Sequence, residues 1–153
     1  VNKPQFKSRG YFGIGIYNAK FAGNLGTLWR SAHTLGAAYI FNIGERYKKQ
    51  KSDVSVAFRH IPFFEYKDFE EFKTSVPRES TLVAIENVKP KYRLETYCHP
   101  ERAIYLLGAE DVGLPPEVLN ECKHTVVLPG EFCLNVATTG SIVMYDRLVK
   151  NGR

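Results

Sequence analysis

Residues 11–43 constrain the fold more than any other stretch. YFGIGIYN (11–18) alternates large apolar residues with glycine and predicts a strand. Asn24 then reads as an N-cap, and Leu25, Leu28, Trp29, Ala32 and Leu35 recur at helical spacing up to Gly36, a C-terminal stop. AYIFNI (38–43) predicts a second strand. Two strands joined through a helix by short links make a βαβ unit, which implies a parallel sheet with helices on its faces. The expected class is therefore α/β.

The remaining chain continues the alternation. VSVAFRHIPFFEY contains a strand ending near Pro62, DFEEFKTS (68–75) a short amphipathic helix, and TLVAIEN (81–87) a central strand. AIYLLGAE (103–110) is a further buried strand, and Pro115 and Pro116 suit the opening of a helix over 115–122. The last strand runs from Thr125 to Leu128, stops at Pro129 and Gly130, and leads through EFCLN into a closing helix. In that helix Ala137, Ser141, Met144 and Leu148 recur at helical spacing, as do Val136, Gly140, Val143 and Arg147. Gly140 and the two threonines before it are poor helix formers, so the helix is expected to admit a close neighbour, either a backbone or a ligand. The plainer reading is a helix docked on its own core.

A chain of 153 residues is read as a single domain over 1–153, large enough for a real core. Apolar content of 44% and charged content of 24% are ordinary for a soluble globular protein. No apolar run reaches the roughly 18 residues of a membrane span, and the opening VNKPQFKSRG has no apolar segment of a secretory signal. Cys98, Cys122 and Cys133 show no CxxC spacing, and the four histidines are scattered. These argue for a reducing, cytoplasmic compartment and against a metal site. The net charge of +5 mildly favours a polyanionic partner. ERYKKQKSD (45–53) gathers Arg46, Lys48, Lys49 and Lys51 beside Tyr47, and reads either as a solvated connection or as a phosphate-contact loop.

Three segments stand out on this scaffold. In NLGTLWR, Asn24 and Gly26 lie at a helix start that presents N–H groups to anions, with Arg30 about one and a half turns in. The bland alternative makes Asn24 a cap and Arg30 a surface charge. In LLGAEDVGLPPE, Gly108, Glu110 and Gly113 form a tight turn at the carboxyl edge of the sheet, where open α/β sheets place ligands. In LPGEFCLNV, Asn135 offers a donor and an acceptor at a helix start, and Cys133 reads as a small packed thiol rather than a nucleophile.

Taken together, NLGTLWRSAHTLGA, GAEDVGL and LPGEFCLNVATTGSIVMYD closely resemble the three ordered motifs of the SpoU, or TrmH, branch of the SPOUT methyltransferases, over roughly residues 11–150. The resemblance implies an α/β-knot: a parallel sheet whose C-terminal segment is threaded into a deep trefoil knot, an exception to the unknotted rule. It implies S-adenosylmethionine as cofactor, held by Ile85, Gly108, Leu128, Cys133 and Leu134, with Leu128 and Leu134 flanking the adenine. Cys133 stands where the family usually has serine. It implies a homodimer through the closing helix, which would account for the face 137/141/144, and a composite site in which Arg30 of one subunit approaches the cofactor of the other.

The implied reaction is methyl transfer to a ribose 2′-hydroxyl of RNA. The catalytic set would be Arg30, Asn24, Glu110 and Asn135, with the two asparagines orienting and Glu110 fixing Arg30 or the loop. A guanidinium normally keeps its proton, so two roles for Arg30 stay open: an unusually perturbed base, or a phosphate ligand that orients the hydroxyl while another group accepts the proton. With no extra domain before residue 11, tRNA is the leading substrate and ribosomal RNA the alternative. Two competing readings are a catalytically idle RNA-binding module and a Rossmann-type small-molecule methyltransferase. GIGIYNAK and FNIGE match the latter only in part.

Overall fold

The computed structural model describes residues 10–49, 60–131 and 133–153. In chain order its elements are β1 (Tyr11–Tyr17), α1 (Ala22–Leu35), β2 (Tyr39–Ile43), β3 (Phe63–Tyr66), α2 (Phe69–Ser75), β4 (Thr81–Ile85), β5 (Tyr92–Arg93), β6 (Arg102–Gly108), α3 (Pro116–Glu121), β7 (His124–Val127) and α4 (Val136–Asn151). The strands form one sheet in the order β3-β2-β1-β6-β4-β7-β5, with every pairing parallel. The expected α/β class is what forms. β7 lies between β4 and β5, two strands that precede it in the chain.

Strand alternation sorts the core into two layers. Phe12, Ile14, Ile16, Ala103, Tyr105 and Leu107 pack with α1 and α4 on one face. Phe41, Ile43, Ile104 and Leu106 pack with α2 and α3 on the other. The glycines of β1 follow from the neighbouring strand: Gly13 and Gly15 pair with Tyr39 and Phe41. A Cβ at either would lie 2.4 Å from a ring atom, so the rings of β2 lie across bare backbone.

Two sequence expectations are corrected here. The strand expected to end near Pro62 instead begins after it, at Phe63. Proline has no N–H to donate, but the Pro62 carbonyl accepts from Ile40 N at 3.0 Å and opens the ladder. Residues 50–59 of that stretch lie outside the described residues. Asn24 is not the cap of α1. The helix starts at Ala22 behind Phe21, which has no side-chain cap, and Asn24 sits in the first turn with its amide turned to other elements.

The small side of α4 faces inward. Ala137 and Met144 are fully buried within the chain, and Ser141 Oγ donates to Ser31 Oγ of α1 at 2.8 Å. A Cβ at Gly140 would come 2.6 Å from Leu28 and 3.0 Å from Leu107. The face 137/141/144 is thus filled by α1 and the chain's own sheet, which overturns its attribution to a dimer contact. The outward side carries Ile142, Tyr145 and Val149, all exposed.

The far end of α4 is held by polar groups. Arg147, 1% exposed, donates to the carbonyls of Pro100 at 2.6 Å, Glu101 at 2.7 Å and Arg153 at 2.8 Å, and to the Tyr105 hydroxyl at 3.1 Å. His99 bonds Tyr105 through Nδ1 at 2.6 Å and Asp146 through Nε2 at 2.7 Å. Burial lowers the His99 pKa, the Asp146 carboxylate opposing it. No helix among the described residues is long and apolar enough to cross a membrane.

Candidate functional site

Parallel strands that all point one way bring their carboxyl-end loops to one rim. At that rim the loops after β4, β6 and β7 enclose a cavity of about 580 Å³. Its wall includes Ile85, Gly108, Leu128, Cys133 and Leu134, the five residues expected to hold a cofactor, and also Glu110 and Asn135. Segments separated by up to fifty residues are therefore gathered as the motifs implied.

Three of the four expected catalytic residues join in one string. Asn135 caps α4, its Oδ1 accepting from Ala137 N at 2.9 Å and Thr138 N at 3.2 Å. Its Nδ2 donates to Asn24 Oδ1 at 3.0 Å. Asn24 Nδ2 in turn donates to Glu110 Oε1. The amide of Asn24 thus links the starts of both helices of one layer to the turn after β6. The fourth residue, Arg30, is elsewhere: it is exposed on α1 and does not line the cavity of its own chain.

The expected RNA-contacting residues divide. Arg46 opens a short turn, Arg46–Lys49, and its fork is bidentate on Asp111 at 2.9 and 3.0 Å while also donating to Asn18 O at 2.9 Å. The hydrogen bond from Arg46 holds the Asp111 carboxyl below the usual carboxylate range. Arg46 therefore fastens the basic loop to the turn beside the cavity rather than pointing at solvent. The side chains of Lys48 and Lys49, and all of Lys51, lie outside the described residues.

Cys133, expected as a small packed thiol, is instead exposed in the wall, because its loop lies at the open rim of the sheet, and Asn87 Nδ2 donates to its sulfur at 3.5 Å. No group of three or more metal-ligating side chains occurs among the described residues. The described wall carries four carboxylates, Glu86, Glu110, Asp111 and Glu131, and no Lys, Arg or His, although the chain as a whole is basic. Val88, Val112 and Leu134 add exposed apolar surface at the same cavity. Sequence reasoning missed Glu86, Asn87 and Asp111. A signal existed for the first two, since the apolar run of β4 ends in a polar pair at the carboxyl end of a parallel strand.

Similar folds occur in solved structures. One, from work on the 2-OH methylation of C/U34 on tRNA, is 23% identical, with a TM-score of 0.80, covering 94% of this chain and 99% of the other. An rRNA methyltransferase from Sinorhizobium meliloti is 22% identical, TM-score 0.79, over 93% of this chain and 57% of its own. The SpoU methyltransferase AviRb from Streptomyces viridochromogenes, in complex with the cofactor AdoMet, is 19% identical, TM-score 0.74, over 95% of this chain and 62% of its own. The chain thus spans under two thirds of the latter two. No curated protein matches the sequence significantly. The profile described as the SpoU rRNA Methylase family matches residues 12–145, which contain all three loops of the cavity, and the chain belongs to that family.

Proposed function

We propose that the protein is an S-adenosylmethionine-dependent RNA ribose 2′-O-methyltransferase acting on tRNA. The observation that carries this reading is the convergence of Gly108, Glu110, Cys133, Leu134 and Asn135 from separate loops on one cavity. The cavity suits the cofactor: an apolar wall for a nucleoside, and the carboxylates of Glu86, Glu110 and Glu131 for a sulfonium. Bound there, the sulfonium supplies an already activated methyl group. The chain must then align a hydroxyl for in-line attack and take one proton.

The asparagine pair Asn24 and Asn135 orients the acceptor, and Glu110, held by Asn24, stands ready to receive the proton. Arg30 binds the adjacent phosphate, since a guanidinium keeps its charge. It does so across a homodimer, for its own cavity does not include it. The exposed stripe Ile142, Tyr145 and Val149 is the surface on which a second copy would seat α4. The placement of β7 between β4 and β5 supports a threaded C-terminus, the trefoil knot of the family.

tRNA is favoured because a neighbour from work on the 2-OH methylation of C/U34 on tRNA superimposes on 94% of this chain with a TM-score of 0.80, and ribosomal RNA is the alternative, since an rRNA methyltransferase superimposes with a TM-score of 0.79. The test is incubation with methyl-labelled cofactor and total RNA, followed by mapping of alkali-resistant ribose. Label in tRNA is expected. Label confined to ribosomal RNA refutes the substrate, and cofactor binding without RNA labelling indicates an idle module.

A further inference from the structure

One carboxylate in the cavity wall has both oxygens bound to main-chain donors of different loops. Glu86 stands one residue beyond β4. Its Oε1 accepts from Asn87 N at 2.8 Å, and its Oε2 accepts from Leu114 N at 3.0 Å. The side chain therefore bridges the loop after β4 and the turn after β6. Gly113 lies against it: a Cβ there would be 2.6 Å from Oε2. Gly108 lies against Gly113 in turn, where a Cβ would be 2.6 Å from the Gly113 carbonyl carbon. The turn closes on itself through Gly113 N donating to Ala109 O at 2.9 Å.

These contacts form a stack from Glu86 through Gly113 to Gly108. Gly113 has φ +65, a conformation that glycine adopts without strain. Its bare Cα leaves the space that the carboxylate enters. Glu86 is thereby in contact, through Gly113, with Gly108, which lines the cavity. We propose that Glu86 is a positioning residue for the methyl donor, joining two loops into one rigid wall through paired acceptor oxygens. This rests on reading the cavity as the donor site.

The chemistry requires two acceptors. Glutamine has the same shape but one acceptor oxygen and one NH2 group. Whichever way that amide turns, an N–H donor meets a backbone N–H. Glu86→Gln therefore breaks one bridge while preserving volume. Gly113→Ala attacks the same contact from the other side: its methyl group displaces the carboxylate tip, and the residue is strained at φ +65 as well.

The test is calorimetric titration of the full chain with S-adenosylmethionine, with steady-state kinetics alongside. E86Q is expected to weaken donor binding about tenfold, the scale of a lost charge-assisted bond. The donor KM should rise by a similar factor with kcat little changed, a split that general loosening of the fold would not give. G113A should do the same, and the double variant should be scarcely worse than the worse single one. If E86Q does not fold, Glu86→Ala takes its place, with the same expectation. Donor affinity within twofold of wild type in a folded Glu86 variant overturns the proposal. Failure of the underlying reading shows separately in the wild type: a donor that binds yet leaves Cys133 alkylation unslowed is bound elsewhere, and both fall.

Discussion

At the scale of single residues, the two asparagines divide labour in a way that substitution can separate. Asn135 caps α4 and also reaches Asn24, whereas Asn24 only bridges. Asn24→Ala should therefore lower methyl transfer at least tenfold with little change in melting temperature, since no cap is lost. Asn135→Ala should do both, adding a stability loss of about 1 kcal/mol from the cap, read by urea unfolding. Arg30→Ala should abolish transfer to RNA and leave cofactor affinity nearly intact by titration. A parallel collapse of cofactor binding would remove Arg30 from its assigned place.

The residues that could be read from sequence share one property. Glu110 and Asn135 are polar groups at the carboxyl ends of recognisable strands, so strand direction alone placed them at the rim. Asn24 was legible as important and misread in role, because capping is a local preference and its actual partners are 86 and 111 residues away. Glu86 was hidden because its partner Leu114 belongs to a turn whose position depends on the order of β4 and β6 in the sheet.

At the scale of elements, α4 shows why periodicity can be right and its interpretation wrong. The small positions signalled close approach, and Leu28 and Leu107 do approach, from within the chain. Sequence spacing reports that a face is narrow, not what fills it. The outward stripe was the less visible signal, three apolar residues among polar ones. In the homodimer proposed above, Tyr145→Lys should shift sedimentation from dimer to monomer and reduce transfer, while cofactor binding persists. The buried end of α4 gives a pH effect. His99 and His124 both have their pKa lowered by burial, the latter also by Lys123 and Lys91. Their neutral forms are favoured in the fold, so they add stability above the unfolded histidine value of about 6.5 that is lost as pH falls below it. Melting temperature should drop between pH 7.5 and 5.5, and less steeply in His99→Gln.

At the scale of the molecule, charge is distributed unevenly. The chain carries +5, while the described cavity wall carries carboxylates only. RNA binding should weaken steeply with added salt, as counterion release demands, and cofactor binding should respond far less. The two titrations against salt separate the outer surface from the cavity. The class of fold was readable because βαβ alternation admits few arrangements. The order of strands was not, because β7 takes its place between β4 and β5 through contacts remote in sequence.

The clamp on Arg147 has a further consequence for catalysis. α4 is 16 residues long, a rod of about 24 Å, with the clamp near one end and Asn135 capping the other. A rod pinned at its base is a lever. A tilt of about 5° over that arm carries the tip about 2 Å, enough to part Asn135 from Asn24. Damage at the buried arginine should therefore register as misaimed chemistry as well as lost stability.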